Sequence, residues 1–203
     1  MSKPLWTPSL ERKQGTIMSA FASFVNERRG LALEEFDALH AYSVDQQEDF
    51  WTDVWDFCGV KAETRGERVI VDGDKMPGAR YFPDSRLNYA ENMLQRRDDE
   101  IAMIFRGEDK VKRELTSNEF YDLTSRMHRA FKSAGLQAGE RVCAVVPNMP
   151  ETIVAFLAAV SHGGIWSSCS PDFGTQGVLD RFGQVDPRFL VVCDGYHYNG
   201  KVH

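Results

Sequence analysis

Three short, largely apolar segments at residues 142–146, 165–169 and 189–193 alternate with stretches of helical periodicity, and this pattern constrains the fold more than any other in the chain. A strand that is apolar on both faces must be covered on both faces. Strands separated by helices are joined by crossovers that place them parallel and, as a rule, right-handed. The expected core is therefore a parallel βαβαβ sheet with helices on both sides. Between the first two strands, Asn148 and Glu151 are expected to cap a helix through Ile153, Val154, Phe156, Leu157 and Val160, closed by Gly163 and Gly164. A further helix is expected at about 175–185, ahead of Asp186-Pro187. The strand at 189–193 lies close to His203, so the sheet is expected to be incomplete as it stands.

Upstream, residues 101–105 and 111–115 flank Gly107-Glu108-Asp109, which predicts a hairpin. Thr116 with Glu119 reads as a capping box, opening a helix whose Phe120, Leu123, Met127, Ala130, Phe131 and Ala134 share a face until Gly135. The charged run from Arg96 to Glu100 marks a change of pattern, and the chain divides there into 1–98 and 99–203.

The first segment predicts a helix from Ser9 to Arg29, stopped by Gly30. A second helix is expected from a capping box at Ser43 and Gln46, through Phe50, Trp51, Val54, Trp55 and Phe57, to Gly59. Its rings read as packing surface. A short strand at 69–71 before Asp72-Gly73 and a short helix at 87–95 complete this segment.

Composition excludes several function classes. The net charge is −6 and no dense Lys/Arg run occurs, so a phosphate-backbone footprint is not expected. The apolar stretch at 142–165 is broken by Pro147, Asn148, Pro150, Glu151 and His162, which argues against a membrane span. Residues 1–8 carry one lysine and no apolar core of a secretory leader, so the expected address is the cytoplasm. Cys58, Cys143, Cys169 and Cys193 form no C-x-x-C pair and read as reduced core thiols. No metal site is expected.

The residues offer little recognisable catalytic machinery. There is no Walker-type loop and no G-x-G-x-x-G, and Gly163-Gly164 follows a helix, where a stop is the simpler reading. A hydrolase constellation of Ser167, Ser168, Ser170 or Cys169 with His162 and Asp172 lacks the G-x-S-x-G elbow. His162 is better placed as the end of its helix, where the dipole suits an imidazolium.

Longer stretches carry a resemblance. Residues 77–82 (PGARYF) and 87–92 (LNYAEN) resemble the N-terminal signature of the acetyl-CoA and acetoacetyl-CoA synthetases, within the adenylate-forming superfamily. Residues 147–152 (PNMPET), 165–174 (IWSSCSPDFG), 178–184 (VLDRFGQ) and 194–196 (DGY) are similar to the acetoacetyl branch in particular. The resemblance implies an α/β fold, the N-terminal part of the large domain of an adenylate-forming enzyme. Residues 1–98 would be its helical extension and 99–203 the start of its AMP-binding domain. It implies an acid-thiol ligase that uses ATP, CoA and Mg2+ to activate acetoacetate as an acyl-adenylate. The family's phosphate loop, metal ligand and catalytic lysine correspond to nothing here, so no catalytic residue is assigned and the chain alone is expected to be inactive. One cofactor-binding stretch carries over: Tyr198, Asn199, Gly200 and Lys201 align with a segment that lies against the nucleotide phosphates of CoA, with Lys201 in place of an arginine. Weak CoA binding and self-association follow as expectations. The alternative is a non-catalytic CoA-binding or interaction module derived from that fold.

Overall fold

The computed structural model describes residues 5–203; the first residues of the segment read above for a leader lie outside them. Packing divides the chain into two compact units, one ending at Leu87 and the other beginning at Asn88.

The first unit is mainly helical. Helices α1 (Leu10–Gln14) and α2 (Ile17–Arg29) replace the single helix expected from Ser9 to Arg29. The break is chemical: Gly15 ends α1, and Thr16 adopts extended backbone and accepts from the Ser19 amide, starting a new N-terminus. Gly30 closes α2 in the left-handed conformation, as predicted. Helices α3 (Phe36–Asp45) and α4 (Gln47–Phe57) then meet at Gln46. The capping box at Ser43 and Gln46 is not formed, because Ser43 lies inside α3 and its hydroxyl donates to the His40 carbonyl at 2.7 Å. The aromatic residues of α4 do pack: the Phe21 ring meets Phe50 and Phe57 edge-on at 5.8 and 5.2 Å between centroids. Val25, Tyr42 and Val54 share this core. Strands β1 (Ile70–Val71) and β2 (Arg80–Tyr81) form a small antiparallel pair.

The second unit opens with α5 (Tyr89–Met93), capped by the Asn88 side chain, which accepts from the amides of Ala90 and Glu91. Strands β3 (Ile101–Gly107) and β4 (Val111–Thr116) form the expected hairpin. Helix α6 (Ser117–Ser133) begins at the predicted capping box: Thr116 accepts from the Glu119 amide, and Glu119 accepts from the Thr116 amide.

Strand β5 (Arg141–Val145), helix α7 (Pro150–Ser161), strand β6 (Ile165–Cys169), a 3-10 turn (Pro171–Phe173), helix α8 (Gly174–Phe182) and strand β7 (Phe189–Val192) follow. The three strands are parallel in the order β6-β5-β7. Alternation along β5 divides the core. Val142 pairs with Trp166 and Phe189 and packs with Phe131, Leu136, Ala158 and Ala159 from α6 and α7. Cys143 faces the other way, against Cys169, Val178 and Phe182 of α8. Helices therefore cover both faces of β5. Helix α7 is not capped by Asn148: its N-cap is Met149, and Pro150 at the first turn sets the entry instead. The final elements are β8 (His197–Tyr198) and β9 (Lys201–Val202), which pair antiparallel.

Candidate functional site

Because β5, β6 and β7 are parallel, their carboxyl ends lie on one side of the sheet. The chain leaves β5 towards β6 and returns across it to β7, so the connections diverge at the carboxyl end of the central strand. Open α/β sheets bind ligands in such crevices. The segments that gather there are residues 146–149, 170–173 and 193–196.

A polar contact ties two of these segments together. The Ser170 hydroxyl donates to Asp172 Oδ2 at 2.9 Å, and the Tyr196 hydroxyl donates to Asp172 Oδ1 at 3.3 Å. Lost solvation, followed by the neighbouring Asp172 carboxylate, holds the Tyr196 phenol above its ordinary pKa. Tyr196 also pairs through its backbone with His203, and the two rings stack at 5.5 Å.

The four residues carried over from the resemblance form one β-hairpin. Tyr198 and Lys201 are its paired flanks, and Asn199 and Gly200 its turn. Both turn residues have positive φ, 52° and 72°, the conformation that suits an Asn-Gly two-residue loop. Such a loop leaves its two central amides outside the ladder. Here both have one acceptor: Glu108, at the turn between β3 and β4, receives the Asn199 amide on Oε1 at 2.5 Å and the Gly200 amide on Oε2 at 3.0 Å. Tyr198 and Lys201 are exposed, and Lys201 makes no ion pair among the described residues. Two convergent amides beside an exposed cation suit a phosphate group once the carboxylate is displaced. The sequence signal for this hairpin, Asn-Gly between alternating flanks, was available; the signal for Glu108 was not.

The hydrolase constellation is not assembled. His162 ends α7 and its Nε2–H donates to the Leu136 carbonyl at 2.7 Å, at the amino end of β6, whereas Ser170 and Asp172 follow its carboxyl end. Their separation is the length of a strand, roughly 16 Å at 3.3 Å per residue. Cys143 and Cys169 are buried and Cys193 half-buried, but Cys58 is exposed and is not a core thiol. Cys58 follows α4 at its solvent side, just before the left-handed Gly59. Burial raises the Cys143 thiol above its ordinary pKa. Among the described residues no group of three His, Cys, Asp or Glu side chains is placed to hold a metal, and no helix is long and apolar enough to cross a membrane.

Two family profiles match the chain: "AMP-binding enzyme" over residues 90–202, and "Acetyl-coenzyme A synthetase N-terminus" over residues 36–93. The chain is 52% identical to an acetoacetyl-coenzyme A synthetase of Rhizobium meliloti over 199 residues, covering 98% of this chain and 30% of that protein. It is 32% identical over 206 residues to a malonamoyl-CoA synthetase of Penicillium aethiopicum, covering 98% of this chain and 28% of the relative. Among solved structures, acetoacetyl-CoA synthetase from Streptomyces lividans superimposes with a TM-score of 0.91 at 38% identity, over 100% of this chain and 32% of that one. The chain thus spans about a third of the length of the relatives it matches. With one profile spanning more than half of its residues and the parallel sheet superimposing on a solved synthetase, the chain belongs to the AMP-binding enzyme family.

Proposed function

We propose that this chain serves acetoacetate–CoA ligation, supplying scaffold and part of the CoA-binding surface rather than the reacting groups. The observation that carries the reading is 52% identity across nearly the whole chain to a protein of that name. In the proposed reaction a carboxylate oxygen of acetoacetate attacks the α-phosphorus of ATP and diphosphate leaves. The CoA sulfur then attacks the acyl carbonyl, and AMP departs with the electron pair of the broken acyl–oxygen bond. Adenylation is needed because a carboxylate is a poor electrophile until one of its oxygens is made a good leaving group.

Residues 1–98 are proposed as the extension typical of acetyl- and acetoacetyl-CoA synthetases, and 99–203 as the start of the adenylation domain. Within the latter, Tyr198, Asn199, Gly200 and Lys201 are proposed to meet the nucleotide phosphates of CoA. Lys201 offers a single point charge where an arginine would offer a two-pronged fork, so contact through it is weak and directionally loose. The Mg2+ that accompanies ATP in such enzymes is assigned no ligand among the described residues. A cytoplasmic location fits substrates of this kind.

Calorimetry of the 203-residue chain with CoA, dephospho-CoA and ATP tests the reading. CoA should bind weakly, more tightly than ATP, and Lys201→Ala should weaken it further. Tighter binding of ATP, or indifference to Lys201→Ala, counts against the hairpin assignment. Acetoacetate-dependent exchange of labelled diphosphate into ATP should stay at the level of a boiled control. Clear exchange would mean that the chain holds the adenylating machinery itself.

A further inference from the structure

The turn between β3 and β4 places a long acidic side chain where a small residue is usual. Glu108 has φ of 54°, a left-handed conformation that glycine, asparagine and aspartate adopt far more readily. A glutamate held there is a local outlier, and its carboxylate is committed to the amides of Asn199 and Gly200, which lie 91 and 92 residues away in sequence. No cation competes for it: among the described residues Lys110 pairs with Asp109, Lys112 with Glu114, and Glu108 enters no ion pair. One oxygen receives each amide, which is how an anion with two oxygens sits on a turn.

We propose that Glu108 is a resident carboxylate stopper. It occupies the Asn199–Gly200 amides in the free protein and is displaced by a phosphate-bearing ligand, so that it sets the affinity threshold of the hairpin. The part of this that concerns CoA rests on the reading above. The competition itself needs only an anion. A phosphate oxygen and the carboxylate cannot both accept the same two amides, and each accepts them in a charge-assisted way. Binding of the ligand therefore carries the cost of breaking two such hydrogen bonds. Once released, Glu108 is free to extend into solvent from its hairpin tip, and Lys201 is left as the cation next to the incoming phosphate.

The test is an NMR titration of the Asn199 and Gly200 amides with inorganic phosphate, in the native chain, in Glu108→Gln and in Glu108→Asn. The Gln variant keeps the side-chain length without the charge. The Asn variant shortens it and suits the positive φ, so it keeps the turn if Gln does not. Half-saturation should come at about fivefold lower phosphate in both variants, the scale of an exposed charged contact near 1 kcal/mol. Equal half-saturation in all three chains, no response in any of them, or weaker binding in the variants overturns the proposal. Loss of the 196–203 hairpin signals in both variants also overturns it, since the carboxylate would then be required for the turn to exist. A parallel titration with CoA separates the two readings: if phosphate behaves as expected while CoA leaves these amides unmoved in every chain, the CoA assignment fails and the stopper stands.

Discussion

The Tyr42 hydroxyl donates a 2.6 Å hydrogen bond to Asp53 Oδ2, and the carboxylate that accepts it has no exposed surface. Tyr42 lies on α3 and Asp53 on α4, so the bond pins two helices whose sequences share no capping motif. Arg29 of α2 completes the arrangement, donating from Nε and Nη2 to Asp53 and from Nη1 to Asp49. A buried carboxylate is tolerable only with its lone pairs engaged. Here two helices, α2 and α3, supply the donors to an acceptor on α4. The same proximity has its mirror effects: burial, then the bond to Asp53, raises the Tyr42 phenol, and the bond to Asp53 raises the Arg29 guanidinium.

Loss of this centre is expected to be costly in proportion to what is left unpaired. Tyr42→Phe removes one donor from a buried carboxylate and should destabilise the helical unit by about 1–2 kcal/mol. Asp53→Ala removes the acceptor for two helices. Breaking one side of a buried pair costs about 3–5 kcal/mol, and because the Arg29 side chain is a quarter exposed the lower end of that range is expected. Urea unfolding followed by the fluorescence of Trp51 and Trp55 gives the measurement. Equal effects of the two substitutions would show that the carboxylate is not the shared anchor.

How much of this was legible from sequence depends on how far apart the partners are. The capping box at Thr116 and Glu119 was readable because both halves lie within one turn and nothing else competes for them. The same motif at Ser43 and Gln46 misled, because α3 already runs through Ser43 and leaves it no free amide to accept. The alternation of apolar strands with helices gave the parallel sheet and the helices on both faces of β5, since an apolar strand has few alternatives. It did not foretell that Leu190 and Val192 of β7 stay exposed. The contacts that shape the candidate site were not readable. Glu108 meets Gly200 across 92 residues, and Asp172 meets Tyr196 across 24; each depends on where hairpins and strand ends come to rest. Residues 198–201 were singled out by resemblance alone, although the Asn-Gly pair carried a hairpin signal of its own.

A histidine pair between α6 and α7 should make stability depend on pH. His128 Nδ1–H donates to the Ser161 hydroxyl at 2.7 Å, that hydroxyl donates to the Ala158 carbonyl, and the His128 ring meets His162 at 5.3 Å. Burial, then His162, then Lys132 and Arg129, hold His128 below its ordinary pKa. The folded chain therefore binds fewer protons than the unfolded chain as pH falls through the histidine range, and stability rises with pH there. The contribution is complete above the unfolded value of about 6.5 and is lost as pH falls through the lower, folded value. Melting temperature should drop from about pH 7.5 to about pH 5.5, and drop less in His128→Asn, which keeps a donor for Ser161 without the titration. An identical drop in both proteins would place the effect elsewhere.

Strand β7 is expected to make the chain self-associate. It pairs with β5 on one side, and on the other its backbone has no partner strand among the described residues. Its side chains alternate: Phe189 and Val191 pack towards α6 and α7, while Leu190 and Val192 are 55% and 62% exposed on the α8 side. Helix α8 spends Val178 and Phe182 on Cys143 and Cys169, and so covers β5 and β6 rather than β7. An apolar strand with an open edge is a template for strand addition, and a second copy of the same chain brings the matching edge. Burying such side chains returns at most about 1.5–3 kcal/mol each, and the new backbone hydrogen bonds add to this against the entropic cost of association. Size-exclusion chromatography with light scattering should show mass rising with concentration. Leu190→Lys should shift the chain back to monomer, because two lysines facing each other across the new pair repel and each keeps its ammonium in water. A chain that stays monomeric across the range, or a Leu190→Lys variant that associates as strongly as the native chain, would exclude β7 as the contact.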